Sequence, residues 1–495
     1  MPKQIRNIVW LKRDLRTQDH LPLLMAERDD HPYLIVYLFE PSMLAYPDTA
    51  ERHLQFIYGS INEMNRLLDP HGKKVHVFYG EATDVFTFLA SSFSIKHVWS
   101  YQESGIRKTW DRDKQVKLLL DENNACWTEF QRDGIERARR NRTNWEKQWF
   151  QQIKNGIIQN DFKKVEELGF KHPFELPKEL VEAWSNYPKA YQPPGERYAW
   201  AYLKSFAEDR GSMYSRHISK PLESRTSCGR ISPYLAWGNM SIRQAYTFVR
   251  NHSNYTRYKR AMNGFLTRLI WHCHFIQKFE MECEYEDQCI NRGYELLEYD
   301  SDQTKITAWE SGTTGYPLVD ASMRCLKETG WVNFRMRSML VSFFCHRLGQ
   351  NWKDGVYFLA RQFLDYEPGI HYPQFQMQAG TTGINMIRIY NPVKQSTEHD
   401  PKGVFIKKWV PELSAVHDAH IHEPWKMTSM EQTFCGVMIG TDYPAPIVDL
   451  NVSGKLAREK MWGHRKHPLV RQEKQRVLGK HTNANRAAFR NEQHD

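Results

Sequence analysis

The spacing of apolar residues changes once along the chain, and that change dictates the architecture. Over the first 130 residues, short β-rich runs at Asn7–Leu11, Tyr33–Phe39, Lys74–Tyr79, His97–Tyr101 and Cys126–Gln131 are separated by amphipathic stretches such as His53–Leu68 and Arg112–Asp121. Strands alternating with helical patterns predict βαβ units and a parallel sheet. No GxGxxG or GxxxxGK(S/T) element accompanies them, so an ordinary dinucleotide or P-loop site is unsupported. From Glu196 onward the strand signal nearly vanishes. Helical spacing takes over at Tyr198–Ala207, Ile242–Arg250, Gly264–Glu280, Val319–Glu328 and Asn333–Leu348, with Gly349 ending the last and Pro368 stopping the one that follows.

The chain therefore divides into an α/β domain at 1–131, an interdomain linker at 132–198, a mostly helical domain at 199–453 and a basic tail at 454–495. The linker opens with the run Arg137, Arg139, Arg140 and Arg142 and closes on Tyr187, Pro188, Pro193, Pro194 and Gly195, a composition suited to a long crossing.

The 495 residues suffice for two or three cores, and 41% apolar with 25% charged content is ordinary for a globular protein. No run approaches the roughly 18 apolar residues of a membrane helix. The charged N-terminus predicts no export signal, and the eight scattered cysteines, without CxxC pairs, predict a reducing cytoplasm and no metal centre. A net charge of +10 favours an anionic partner, nucleic acid above all. Part of it sits in the tail, where Lys455–Arg490 carries eleven Lys/Arg against Glu459 and Glu473.

Three clusters carry chemistry. Thr226–Pro233 (TSCGRISP) offers backbone N–H groups and hydroxyls to an anion, although Ser232–Pro233 also reads as a plain helix start. The second cluster is TGYPLVDA at 314–321, followed by Trp331, Arg335 and Arg337. The third holds Trp352, Asp365, Glu367, a Pro/Gly-rich loop around His371, and RIYNP at 388–392. Asp365 with Arg337 also suits a purely structural ion pair.

Six segments, WLKRDLRTQD (10–19), PPGERYAWAYL (193–203), RISPYLAWGNMSIR (230–243), TGYPLVDASMR (314–324), RIYNPVKQ (388–395) and HEPW…YPAPIVD (422–449), resemble the cryptochrome/photolyase family, in family order, over roughly residues 6–450. The resemblance implies a Rossmann-like N-terminal domain, a helical domain holding FAD, and blue-light chemistry by electron transfer, with UV-damaged DNA as the partner of repairing members and a second antenna chromophore of unknown identity in many members. Glu40, Glu103 and Arg112 fall in motifs bordering the antenna region. Tyr214 and the loop Cys228, Gly229, Arg230, Ile231 and Ser232 match positions that hold the flavin phosphates and ribityl chain. Arg337 and Asp365 match the ion pair beneath the flavin ring, Glu367 a position near the sugar, and His371 the position beside the ring's reactive nitrogen. In a DNA photolyase, Arg335, Arg388, Gln395 and Arg216 would grip the DNA backbone.

The departures concern activity. Dimer-repairing members carry a Glu where this chain has Arg268 and an active-site Asn where it has Phe334, with Asn333 one place earlier. Trp271 is kept, one loop Trp has become Met377, and Phe334 and Ser338 replace the paired histidines of (6-4) photolyases. Arg268, Trp271, His272, Phe334, His371 and Met377 are thus the expected catalytic residues. The tryptophan relay reads Phe375, Trp352, Tyr299, which weakens photoreduction unless Trp309, Trp331, Tyr372 or Tyr390 supplies a detour. Two functions follow from this pattern: a DNA photolyase, or a cryptochrome-like receptor without repair.

Overall fold

The computed structural model describes residues 3–165 and 170–482. Five strands, β1 (Asn7–Leu11), β2 (Tyr33–Phe39), β3 (Val75–Tyr79), β4 (His97–Tyr101) and β5 (Cys126–Phe130), form one sheet of order 3-2-1-4-5, every pair parallel. β1 is buried along its whole length, as a central parallel strand covered on both faces must be. Helices α1 (Glu51–Leu68) and α2 (Arg107–Glu122) cross between strands. All five expected strands and both crossovers are present, within a residue for the strands and five for the helices. The order reverses between β1 and β4, and the crevice beyond their carboxyl ends is the natural ligand position of such a sheet.

The 132–198 segment is a packed crossing, not a bare tether. It carries α3 (Trp145–Lys154) and α4 (Lys178–Ser185), whose Trp145, Trp149, Ile153 and Trp184 are buried in a core shared by both domains.

The second domain is helical. Its site is built from α5 (Lys259–Met281), α6 (Phe334–Ser342), α7 (Trp352–Gln362) and α8 (Pro368–Ala379). Three expectations fail here for local reasons. Asn333–Leu348 is not one helix, because α6 gives way to a π-turn at Phe343–Arg347. Pro368 starts α8 instead of ending its predecessor, since proline lacks an N–H that a first-turn residue does not need. His371 therefore stands in a helix that runs through Pro373, not in a loop.

The basic extension also differs from a tail. It folds as α9 (Leu450–His464) and α10 (Pro468–His481), with Met461, Val470, Val477, Leu478 and His481 buried. Asn291 Nδ2 donates to Val470 O at 2.9 Å, and His481 and Arg476 both bond Glu282. Residues 483–495, the end of the expected tail, lie outside the described residues.

Candidate flavin site

Burial without a partner marks the phosphate-side loop. Cys228, Gly229, Arg230 and Ile231 are all buried. Their carbonyls are used, since Arg210 Nη1 takes the Cys228 oxygen at 2.8 Å and Gln192 Nε2 takes that of Arg230 at 2.7 Å. The N–H groups of Gly229, Arg230, Ile231 and Ser232 donate to no protein oxygen among the described residues. Buried backbone donors need acceptors, so this row suits an anion. Arg230 holds the left-handed conformation, φ 57°, that turns the loop inward. Ser232 and Pro233 open a helix, as the plain helix-start reading has it, with Ile231 at the cap and no side-chain cap bond. Arg230 stacks on Trp331 at 4.0 Å and bonds Gln192 at 2.8 Å, and burial with Arg225 nearby lowers its guanidinium to about 10. Gln192 is a partner that no motif singles out.

A second set converges on one cavity lined by Phe334, Arg337, Ser338, Asp365, Glu367, His371 and Phe375. Arg337 Nη2 donates to both Asp365 oxygens, at 2.7 and 2.9 Å, while its Nε holds Val332 O at 3.0 Å. The guanidinium is fixed further by Phe363, 4.0 Å from its ring centre. Two polar atoms in the cavity wall, Glu367 Oε2 and Ser338 Oγ, are buried without a hydrogen bond. Glu367 is charge-compensated across the domain seam by Arg132 at 3.6 Å and Arg13 at 3.8 Å. Arg13 and Arg132 became visible only when the fold brought their strand ends to the cavity. His371 Nε2 bonds Val356 O at 2.8 Å, and burial lowers its pKa to about 4, so the ring is neutral with Nδ1 left as an acceptor.

This donor set fits FAD: free N–H groups for a diphosphate, a carboxylate oxygen without a hydrogen bond and a hydroxyl for sugar or ring polar atoms, and a fixed cation for an electron-rich ring. Tyr214, 5% exposed, lies near the loop through Cys228 and Arg268, with burial raising its hydroxyl.

The other expected residues scatter around the cavity. Phe334 is its exposed rim at 42%. Asn333 cannot replace the missing Asn, because its side chain caps α6 by accepting from Met336 N and its amide donates to Ile218 O. Arg268 is exposed and stacks over Trp271 at 4.2 Å. Burial lowers His272 to about 4, against the opposing pull of Asp133 nearby. Met377 stands apart, lining a small void with Phe275, Lys278 and His481. Trp352 is buried 6.4 Å from Phe375, and Tyr299 carries Lys460 Nζ 4.1 Å above its ring. Arg216 and Arg388 are exposed and Arg335 half-buried, with Tyr390 Oη 3.4 Å from its Nη1. Gln395 is buried, so it is not a surface grip on DNA. A second cavity of about 130 Å³ sits at the switch point, bordered by Glu40, Glu103 and Arg112, whose guanidinium donates to Glu40 at 2.9 Å and to Glu103 at 2.7 Å.

Residues 265–463 match the family model described as the FAD binding domain of DNA photolyase, and residues 7–153 match the DNA photolyase model. Together they span well over half of the chain. It belongs to the cryptochrome/photolyase family. Within that family it is similar to a deoxyribodipyrimidine photo-lyase of Alkalihalophilus pseudofirmus, 28% identical over 91% of this chain and 96% of the relative. It is also similar to a cryptochrome DASH of Synechocystis, 26% identical over 91% and 97%. A class III photolyase structure from Agrobacterium tumefaciens superposes with a TM-score of 0.82 at 23% identity, covering 94% of this chain and 99% of that one, which establishes the shared fold. Among the described residues no helix is long and apolar enough to cross a membrane.

Proposed function

We propose that this family member is a DNA photolyase that splits UV-induced pyrimidine photoproducts under blue light. The observation that carries the reading is the Arg337–Asp365 pair in a cavity with an exposed aromatic rim, beside a helix that presents Arg268 stacked on Trp271. FAD, when bound, supplies the light absorption and the transferable electron. The chain's own residues do the rest. The 229–232 N–H row holds the diphosphate, and Arg337, oriented by Asp365 and Phe363, places positive charge beside the ring. Glu367 and Ser338 orient its polar groups.

Arg216, Arg335 and Arg388 take DNA phosphates, which positions the strand without reading its sequence. A damaged base is already poorly stacked, so drawing it out costs only a few kcal/mol. Trp271 and Phe334 then offer apolar faces to the lesion. Arg268 occupies the place of an acceptor in repairing relatives, and its guanidinium instead favours negative charge developing on a pyrimidine carbonyl. The switch-point cavity is the proposed position of a second, light-harvesting pigment.

A photoreceptor without repair is the competing reading. It is favoured by Arg268, Phe334 and Met377, where repairing members carry Glu, Asn and Trp. Light-dependent restoration of irradiated oligonucleotides by the chemically reduced protein separates the two.

A further inference from the structure

Tyr366 stands between Asp365 and Glu367 and lines both the flavin-site cavity and the interdomain cavity. It is 3% exposed. Its hydroxyl donates to Asp48 Oδ2 at 2.5 Å and lies 3.3 Å from the hydroxyl of Tyr372. The Tyr372 ring is 6.3 Å from that of Tyr357, and Tyr357 is 6.3 Å from Tyr46. The hydroxyls of Tyr46 and Tyr357 both donate to Glu286, the latter at 3.4 Å. Tyr46 is half-exposed, whereas Tyr372, Asp48 and Glu286 are buried.

A phenol gives up an electron readily only if its proton leaves with it, because the oxidised phenol is a very strong acid. A buried tyrosine with a proton acceptor on its hydroxyl, a carboxylate or a neighbouring oxidised phenol, is therefore poised for oxidation, and one without is not. Here the carboxylates stand at the two ends of a four-tyrosine row. The expected relay is the opposite case. Phe375 is hard to oxidise, and Tyr299 has an ammonium above its ring and no carboxylate on its hydroxyl among the described residues.

We propose that Tyr366, Tyr372, Tyr357 and Tyr46 carry an electron from the surface to the flavin site, with Asp48 and Glu286 holding the phenolic protons. The inference rests on the flavin reading of the cavity. In the first step Tyr366 loses one electron to the light-excited, oxidised flavin and its proton to Asp48. Tyr366 then regains an electron and a proton from Tyr372 through their hydroxyl contact. Tyr372 is re-reduced by an electron from the Tyr357–Tyr46 pair, and the proton on Asp48 returns to it through the Tyr366 hydroxyl. The proton lost by that pair goes to Glu286. An external thiolate finally supplies one electron at Tyr46, and Glu286 returns the proton. The net change is one electron moved from thiolate to flavin, with both carboxylates restored. Burial raises the Asp48 and Glu286 carboxyls above the usual range, which suits groups that must hold a proton for part of the cycle.

The test is freeze-trapped electron paramagnetic resonance on the full FAD-loaded protein, illuminated with blue light in the presence of a thiol. A neutral tyrosyl signal that narrows on ring-deuteration of tyrosine is expected. Tyr366→Phe and the near-isosteric Asp48→Asn should each lower its yield at least tenfold, while FAD released on denaturation stays within twofold of the parent. Undiminished tyrosyl yield in Tyr366→Phe, or a radical lost instead in Trp352→Phe, would overturn the path. A parent protein that retains FAD but forms no Tyr366-dependent radical defeats the path alone. One that retains no FAD defeats the cavity reading and the path with it.

Discussion

Trp352 packs against Phe375 with ring centres 6.4 Å apart and planes inclined by 52°, and its indole N–H points at Cys289 Sγ, 3.3 Å away. Trp352 is thus in place for charge transfer but separated from the flavin site by a ring that holds a positive hole poorly. Phe375→Trp should raise the rate of flavin photoreduction at least tenfold and add a tryptophanyl radical. Stopped illumination with absorbance detection measures the first and electron paramagnetic resonance the second.

Asp365 is the partner that makes the Arg337 guanidinium affordable in its half-buried position. Asp365→Ala leaves that charge uncompensated, which costs about 3 kcal/mol for a largely buried pair. FAD content of the purified protein should fall at least tenfold. Asp365→Asn, which keeps the shape and part of the hydrogen bonding, should lose less. Absorbance of released pigment against protein concentration decides it.

The sheet was legible because each strand is a short run rich in β-branched and aromatic residues, and β1 shows no alternation to confuse with a helix. The ion pair was legible through its motif. Arg13, Arg132 and Asp48 were not, because the fold alone brings these residues of the first domain and linker to a site in the second. The α10 helix was misread because the eleven-to-two charge excess of Lys455–Arg490 masks three apolar residues within it, Val470, Val477 and Leu478, that are buried. Pro368 was misread because proline both begins and ends helices, and only the neighbouring backbone tells which.

The buried face of α10 changes what a truncation does. Deleting residues 466–495 exposes the surface that Val470, Val477 and Leu478 cover, worth roughly 5 kcal/mol at 1.5–3 kcal/mol per side chain. The expected result is a lower thermal midpoint together with weaker DNA binding. By contrast, Arg388→Ala should leave the midpoint within 1 °C or so and flatten the salt dependence of DNA binding by about one unit of log–log slope. Differential scanning calorimetry and a salt titration of binding separate the two effects.

Acid should destabilise the protein over a defined window. Burial lowers His272, His346, His371 and His481 to about 4. A depressed folded-state pKa contributes stability that is complete above the unfolded value near 6.5 and is lost as pH falls towards 4. Each such group is worth up to about 3 kcal/mol at neutral pH. Urea midpoints measured from pH 7 to pH 4.5 should therefore fall steadily, with little change between pH 7 and pH 8.5. His371→Gln, which keeps a donor for Val356 O, should make the fall shallower.

Repair itself is the most direct test, with Arg268 at its centre. The flavin is reduced chemically, which removes any dependence on the relay. Oligonucleotides bearing cyclobutane or (6-4) lesions, single- and double-stranded, are then incubated under blue light and in darkness. The account predicts light-dependent restoration of at least one lesion class, none in darkness, and a loss of at least tenfold in Arg268→Ala with FAD content unchanged. Absence of repair on every one of these substrates by a fully reduced, FAD-replete protein would contradict it and leave the photoreceptor reading in its place.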